Sequence, residues 1–212
     1  MKMDVLKQKY EGILAFYNEY TKLNSLLRTG WVMRHVPAER LESVAEHTLQ
    51  VVMLAHTFAY ELGLTDIDMT KLAPMAFLHD LAETVVGDIS AIYVNTEEDK
   101  RRKHEAEMHS IKNILAHLSP EVAAYYYSLW DEFERKETPT AQFLFQVDKV
   151  DAVMKSSNYS EEYNRPELFQ EFYQTEVDRK RFEEGPLKDF FDYLKERQYV
   201  PGREYIKEPK QI

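Results

Sequence analysis

Apolar residues recur at three- and four-residue spacing through most of this 212-residue chain, a period that suits helices. Strand-like alternation is scarce and six glycines in all interrupt the pattern, so the fold expected is all-α. With 44% apolar residues the chain can bury a substantial core, and no repeat, low-complexity tract or linker divides it. Residues 1–212 therefore read as a single-domain helical bundle, with C-terminal helices from about 160 to 212 packed on it.

The periodicity also places the helices. In "ESVAEHTLQVVMLAHTFAYEL" the side chains Val44, His47, Val51, Leu54, Ala55 and Phe58 fall near one stripe, and Gly63 comes next as a C-cap, which predicts a helix over 42–62. A second is predicted from about Asp66 to Glu83, with Gly87 breaking the helical pattern beyond it. Pro120 and Pro139, preceded by Ser119 and Thr138 as N-caps, open helices over 120–136 and 139–158. Leu187, Phe190, Phe191 and Leu194 repeat the same spacing in a last helix that packs rather than dangles.

Charge excludes some partners. A net charge of −10 argues against a general grip on nucleic acid polymers or on anionic membrane, because phosphate binding relies on clustered Lys and Arg. The basic run "KRRKH" at 100–104 comes after Glu97, Glu98 and Asp99, which precede Arg101, Arg102 and Lys103 by four positions; it reads as a solvated helix face. No cysteine occurs, which excludes disulfides and thiolate metal sites and fits a reducing compartment. "MKMDVLKQKY" is too polar for a signal peptide, and no apolar run approaches the roughly 20 residues that span a bilayer; the expected location is the cytoplasm.

The stretch "AFLHDLAETVVGDIS", residues 76–90, sets His79, Asp80, Glu83 and Asp88 into an otherwise apolar run. On a continuous helix His79 and Glu83 share a face about 6 Å apart, with Asp80 about 100° round. Burying unpaired carboxylates is costly, and a divalent cation offsets that cost. His47 on the apolar face of the preceding helix and Asp148 in "FQVDKVDAVMK" offer two more ligands. Two His and two Asp suit Mn, Co, Fe, Ni, Mg or Zn and leave positions open for water and a substrate oxygen. His56, His104, His109 and His117 read as hydrogen-bonded structural residues rather than ligands.

The order His47, then His79–Asp80, then Asp148 resembles the HD-domain superfamily of metal-dependent phosphohydrolases. Through "RTGWVMRHVPAERLESVAEHTLQVVMLAH", "HDLAETVVGD" and "FQVDKVDAVMKSSNYSEEY", and over roughly residues 20–195, the chain is more similar still to the branch acting as 5'-deoxynucleotidases. The resemblance implies an HD-type bundle, a homodimer, a small nucleotide substrate, and the cleavage of deoxyribonucleoside 5'-monophosphates. It puts Glu83 in the place of the catalytic acid and Asp88 in that of a second essential carboxylate. Where bacterial members carry an Arg-Trp pair for the nucleotide, this chain has Gly30-Trp31. Trp31 is retained as a substrate contact or core anchor, and Arg28 and Arg34 on either side become the candidates for the substrate phosphate. Two other readings stay open: an HD hydrolase for a nucleoside di- or triphosphate or a cyclic nucleotide, and a helical interaction protein whose metal is structural or absent.

Overall fold

The computed structural model describes residues 2–37, 39, 41–90, 94 and 96–197. Among them the regular elements are helical: α1 (Lys2–Tyr20), a 3-10 turn (Thr21–Asn24), α2 (Thr29–Val32), α3 (Val44–Glu61), α4 (Met69–Leu78), α5 (Glu83–Val86), α6 (Glu97–Leu115), α7 (Pro120–Arg135), α8 (Pro139–Glu162), α9 (Pro166–Asp178) and α10 (Lys188–Glu196). The all-α expectation holds. None of these helices is long and apolar enough to cross a membrane.

Local chemistry sets most of the ends. Ser43 and Glu46 close a reciprocal capping box at the start of α3, satisfying donors that a helix N-terminus leaves bare, and Thr96 and Asp99 do the same for α6. Thr138 Oγ1 accepts from Ala141 N at the start of α8, as expected of an N-cap, whereas Ser119 makes no side-chain cap before α7. Gly63 turns the chain after α3 at φ +61°. Helix α8 runs four residues past its expected end, and α7 stops at Lys136 in the left-handed region.

The helix expected over 66–83 is shorter. It starts at Met69 with the Asp68 side chain accepting from Thr70 N, encloses Pro74, and ends at Leu78. The reason lies in one side chain: His79 Nδ1 donates to the Ala76 carbonyl at 2.6 Å, an acceptor that an uninterrupted helix would turn to its own ladder. The chain then tightens into i→i+3 turns, Leu81 N to Leu78 O and Glu83 N to Asp80 O, before α5 resumes.

The chain divides into two compact units, 1–148 and 149–212, the division falling within α8. In the first, α3 packs on α4, α4 on α7, and α6 on both α5 and α7. Val44, Val51 and Ala55 of α3, Leu72 and Met75 of α4, Ile111 and Leu115 of α6, and Leu129 and Trp130 of α7 are all at most 2% exposed. In the second, Phe191 of α10 stacks between Tyr173 and Phe182, at ring-centroid separations of 4.4 and 4.1 Å, and Ser160 Oγ accepts from Phe169 N. The expectation of packed helices to residue 212 extends over 198–212, which lie outside the described residues.

Candidate active site

His47 is carried one turn into α3 and is 0% exposed. The start of α3 is tied to the segment before α2 by a short antiparallel pairing: Val44 N donates to Leu26 O, Arg28 N to Glu42 O, and Leu27 faces Ser43. That pairing brings Arg28 to the same place as His47. The i→i+3 turns after α4 deliver His79 and Asp80, and the first half of α8 delivers Asp148.

The four side chains converge. His47 Nε2 lies 3.2 Å from Asp148 Oδ1 and 3.6 Å from Asp80 Oδ2, while His79 Nε2 lies 3.2 Å from that same Asp80 oxygen. The two imidazole rings are 5.5 Å apart between centroids. His79 Nδ1 is taken up by the Ala76 carbonyl, which leaves Nε2 as the ring nitrogen facing the group, and that atom is fully buried with no hydrogen-bond partner among the described residues. Ligand atoms of His47, His79 and Asp148 all lie within 4.8 Å of one another. A buried, unpartnered ring nitrogen beside two carboxylates fits a divalent cation, so the residues present suit the metal that the pattern implies.

Glu83 and Asp88 flank this group differently. Glu83 opens α5, is 6% exposed, and its Oε2 is buried without a hydrogen-bond partner among the described residues. Burial, reinforced by Asp80 and Asp88, pushes its carboxyl well above the ordinary range, against the pull of Arg28 and Lys103. Gly87, at φ +80°, reverses the chain after α5 where a side chain would be strained, and so returns Asp88 toward Arg28. Asp88 Oδ2 accepts from Thr29 N at 2.5 Å, and the Thr29 hydroxyl donates to the Asp88 carbonyl.

Arg28 is the cation of the site. Its Nη1 donates to Asp80 Oδ2 at 3.3 Å and lies 3.8 Å from Asp88 Oδ1, with its side chain 17% exposed. Burial disfavours its charge, but Asp88, Asp80, Glu83 and Asp148 outweigh that and hold the guanidinium more firmly protonated than usual. Asp80 is the mirror case: burial opposes its charge, yet His79, Arg28 and His47 win and hold its carboxyl below the usual carboxylate range. Arg34 turns back to the Gly30 carbonyl at 3.1 Å. Trp31 is 1% exposed, and its indole N–H donates to Glu42 Oε2 at 2.8 Å, the placement of a core anchor.

Three participants were not picked out from the sequence. Thr29, which holds Asp88, and Glu42, which holds Trp31, carry no local signal; each acts through a partner distant in the chain or buried. The third is Lys103. In the run at 100–104, Lys100, Arg101 and Arg102 are solvated, at 58%, 58% and 71% side-chain exposure. Their partners differ from the even four-residue spacing: Glu97 pairs with Lys100, Glu98 with both arginines, and Asp99 is spent on the cap at Thr96. Lys103, at 28%, points inward to Glu107.

Comparison with known proteins agrees with this geometry. The HD domain family model matches residues 20–186. The chain is 31% identical over 162 residues to the mouse protein named 5'-deoxynucleotidase HDDC2, covering 76% of this chain and 77% of the mouse one. It is 27% identical over 199 residues to the Saccharomyces cerevisiae 5'-deoxynucleotidase YGK1, covering 86% of each. Among solved structures, the PH0347 protein of Pyrococcus horikoshii shares 26% identity at a TM-score of 0.68, over 85% of this chain and 97% of that one.

Proposed function

The chain belongs to the HD domain family, and from that premise we propose that it is a metal-dependent phosphohydrolase releasing phosphate from deoxyribonucleoside 5'-monophosphates. The observation that carries the reading is the meeting of two imidazoles and two carboxylates beside a buried carboxyl, Glu83, and a half-buried guanidinium, Arg28. Relatives named 5'-deoxynucleotidase at about 30% identity over most of their length support the substrate class.

His47, His79, Asp80 and Asp148 would hold the cation; its identity among Co, Mn, Mg, Fe, Ni and Zn is not set by a donor set of nitrogen and oxygen alone. When bound, a divalent ion polarises a phosphoryl oxygen and makes a coordinated water more acidic. Arg28 binds the phosphate with its planar fork, exchanging contacts with Asp80 and Asp88 for phosphate oxygens, and we assign it that role ahead of Arg34. Asp88, fixed by the Thr29 N–H, accepts the proton of the attacking water. Glu83, whose carboxyl burial holds above the ordinary range, gives a proton to the 5'-oxygen as the phosphorus–oxygen bond breaks, and a nucleoside and inorganic phosphate leave. Trp31 serves as a buried anchor that fixes the turn bearing Arg28 and Thr29.

The family match runs across residue 148 without a break, which supports reading the chain as one HD domain. A cytoplasmic homodimer completes the proposal. Exposed Leu6, Tyr10, Ile13, Leu14 and Tyr17 on α1, each at least 44% exposed, support a protein partner there, and the lack of cysteine suits a reducing compartment. The test is phosphate release from a nucleotide panel by metal-stripped protein to which single cations are restored.

A further inference from the structure

Arg28 and Thr29 are neighbours in the chain, and both face Asp88, which lies 59 residues beyond Thr29. Thr29 N donates to Asp88 Oδ2 at 2.5 Å, the Thr29 hydroxyl donates to the Asp88 main-chain carbonyl, and Arg28 Nη1 lies 3.8 Å from the other carboxylate oxygen, Oδ1. Thr29 therefore holds Asp88 by its backbone and by its side chain at once. One such bond would tie the turn down. The two together fix both where the carboxylate stands and which way it is turned.

Thr29 is itself well anchored. Arg28 N donates to Glu42 O at 2.9 Å beside the pairing of Leu27 with Ser43, Met33 N donates to Thr29 O at 3.0 Å, and the indole of Trp31 holds the Glu42 carboxylate. Against this support Gly87, at φ +80°, reverses the chain and presents Asp88, whose side chain is 10% exposed. A carboxylate so far out of water depends on protein donors for its orientation. Those donors differ in permanence. In the function proposed above, Arg28 leaves Asp80 and Asp88 for phosphate oxygens when substrate binds, whereas the two Thr29 bonds do not involve the guanidinium and persist. The exchange frees Oδ1 while Oδ2 stays on Thr29 N.

We propose that Thr29 is a positioning residue for Asp88: its hydroxyl and N–H keep the carboxylate in place while Arg28 moves to the phosphate, so that Oδ1 is the oxygen that takes the proton of the attacking water. The inference rests on the assignment of Asp88 as proton acceptor. In that step the water oxygen bonds to phosphorus and its proton passes to Asp88 Oδ1. The electron pair of the breaking phosphorus–oxygen bond leaves with the 5'-oxygen, which takes the proton of Glu83. Without the Thr29 hydroxyl, the turn that bears Asp88 is tied by one bond, and the freed carboxylate loses its aim at the moment the water attacks.

A double-mutant cycle on the metal-loaded protein tests this, with thymidine 5'-monophosphate as the probe, single-turnover rates beside steady-state constants, and metal content measured on each sample. Thr29→Val, which keeps the shape and removes the hydroxyl, should lower kcat by about 10- to 100-fold with KM within about threefold and metal content unchanged, as misplacement of a reacting group does. Thr29→Ser, which keeps the hydroxyl, should stay within about threefold of the parent rate. In an Asp88→Asn background Thr29→Val should change kcat by less than about twofold, because the two residues act as one unit. A Thr29→Val loss below about threefold, no recovery in Thr29→Ser, equal losses in both backgrounds, or a raised KM at unchanged kcat would overturn the proposal, the last by giving the hydroxyl to the substrate. Should Thr29→Val fail to fold, Thr29→Ala carries the same comparison in the two backgrounds. Asp88→Asn at the parent rate, or no phosphate release by the unsubstituted protein, would instead overturn the functional reading, and this inference with it.

Discussion

Arg28 Nη1 stands 3.3 Å from Asp80 Oδ2, so the guanidinium assigned to the substrate phosphate rests, before substrate arrives, on a carboxylate assigned to the metal. One oxygen of Asp80 thus faces Arg28, His47 and His79 together. Binding substrate requires Arg28 to trade carboxylate oxygens for phosphate oxygens. That exchange costs little because both are anionic acceptors of the same fork geometry.

Arg28→Met should accordingly weaken substrate binding while keeping the cation. Loss of a charge-assisted contact of about 1.5–3 kcal/mol corresponds to a KM raised by roughly ten- to a hundredfold. Metal content measured on the same sample should match the parent. A variant that loses metal along with affinity would make Arg28 part of the cation site's support instead.

Glu83→Ala should retain metal and bind substrate, and its loss should fall on kcat, by about 10²–10⁴-fold, the usual worth of a general acid. Single-turnover rates with elemental analysis decide it. Loss of metal together with rate would recast Glu83 as a ligand.

The same carboxyl gives a pH dependence of stability with a definite sign. Its native pKa is raised above the unfolded one, chiefly by burial, so the native state holds the proton more tightly. That contribution is complete below the ordinary glutamate value of about 4.3 and is lost as pH rises through the raised native value. Asp80 works the other way: its lowered native pKa adds stability above the ordinary aspartate value of about 3.9, lost as pH falls through the native one. Thermal melts of chelator-treated protein across pH should therefore show Glu83→Gln losing less stability than the parent as pH rises above about 4.3. Parallel curves for the two proteins would contradict the shift.

Removing the metal should destabilise the fold, because it leaves Asp80 and Asp148 against His47 and His79 without the cation the donor set suits. A ligand at about 100 times its Kd adds about 2.7 kcal/mol, so melts with and without chelator should separate by several degrees. Asp148→Ala should lower metal occupancy and narrow that gap.

Trp31→Phe distinguishes an anchor from a substrate contact. The change removes the donor facing Glu42, which is 2% exposed, and leaving a buried acceptor short of a partner costs about 1–3 kcal/mol. The melting temperature should fall while KM for deoxyribonucleoside monophosphates stays within about threefold. A KM increase without a stability loss would place the nucleoside on the indole.

The helices were legible because their period and caps are local: the Pro120 and Pro139 starts and the Thr138 cap are written within four residues of where they act. The break at His79 was not, since periodicity favours continuing to Glu83 and the ring's bond to Ala76 decides against it. Candidate ligands could be read from residue type and order, whereas the convergence of His47, His79, Asp80 and Asp148 depends on helices far apart in sequence. Lys103 is hidden among bases that are solvated, and only its lower exposure and its pairing with Glu107 separate it from Arg101 and Arg102. Trp31 carries no mark in sequence that tells an anchor from a base contact, because both use the same apolar ring.

The most direct test is phosphate release from deoxyribonucleoside 5'-monophosphates by metal-stripped protein titrated with one divalent cation at a time, with 3'-monophosphates and cyclic nucleotides as controls. The account predicts no release until a cation is added, saturation near one ion per chain, and preference for the 5'-monophosphates. Release independent of added cation, or faster cleavage of a 3'-monophosphate or cyclic nucleotide, would contradict it.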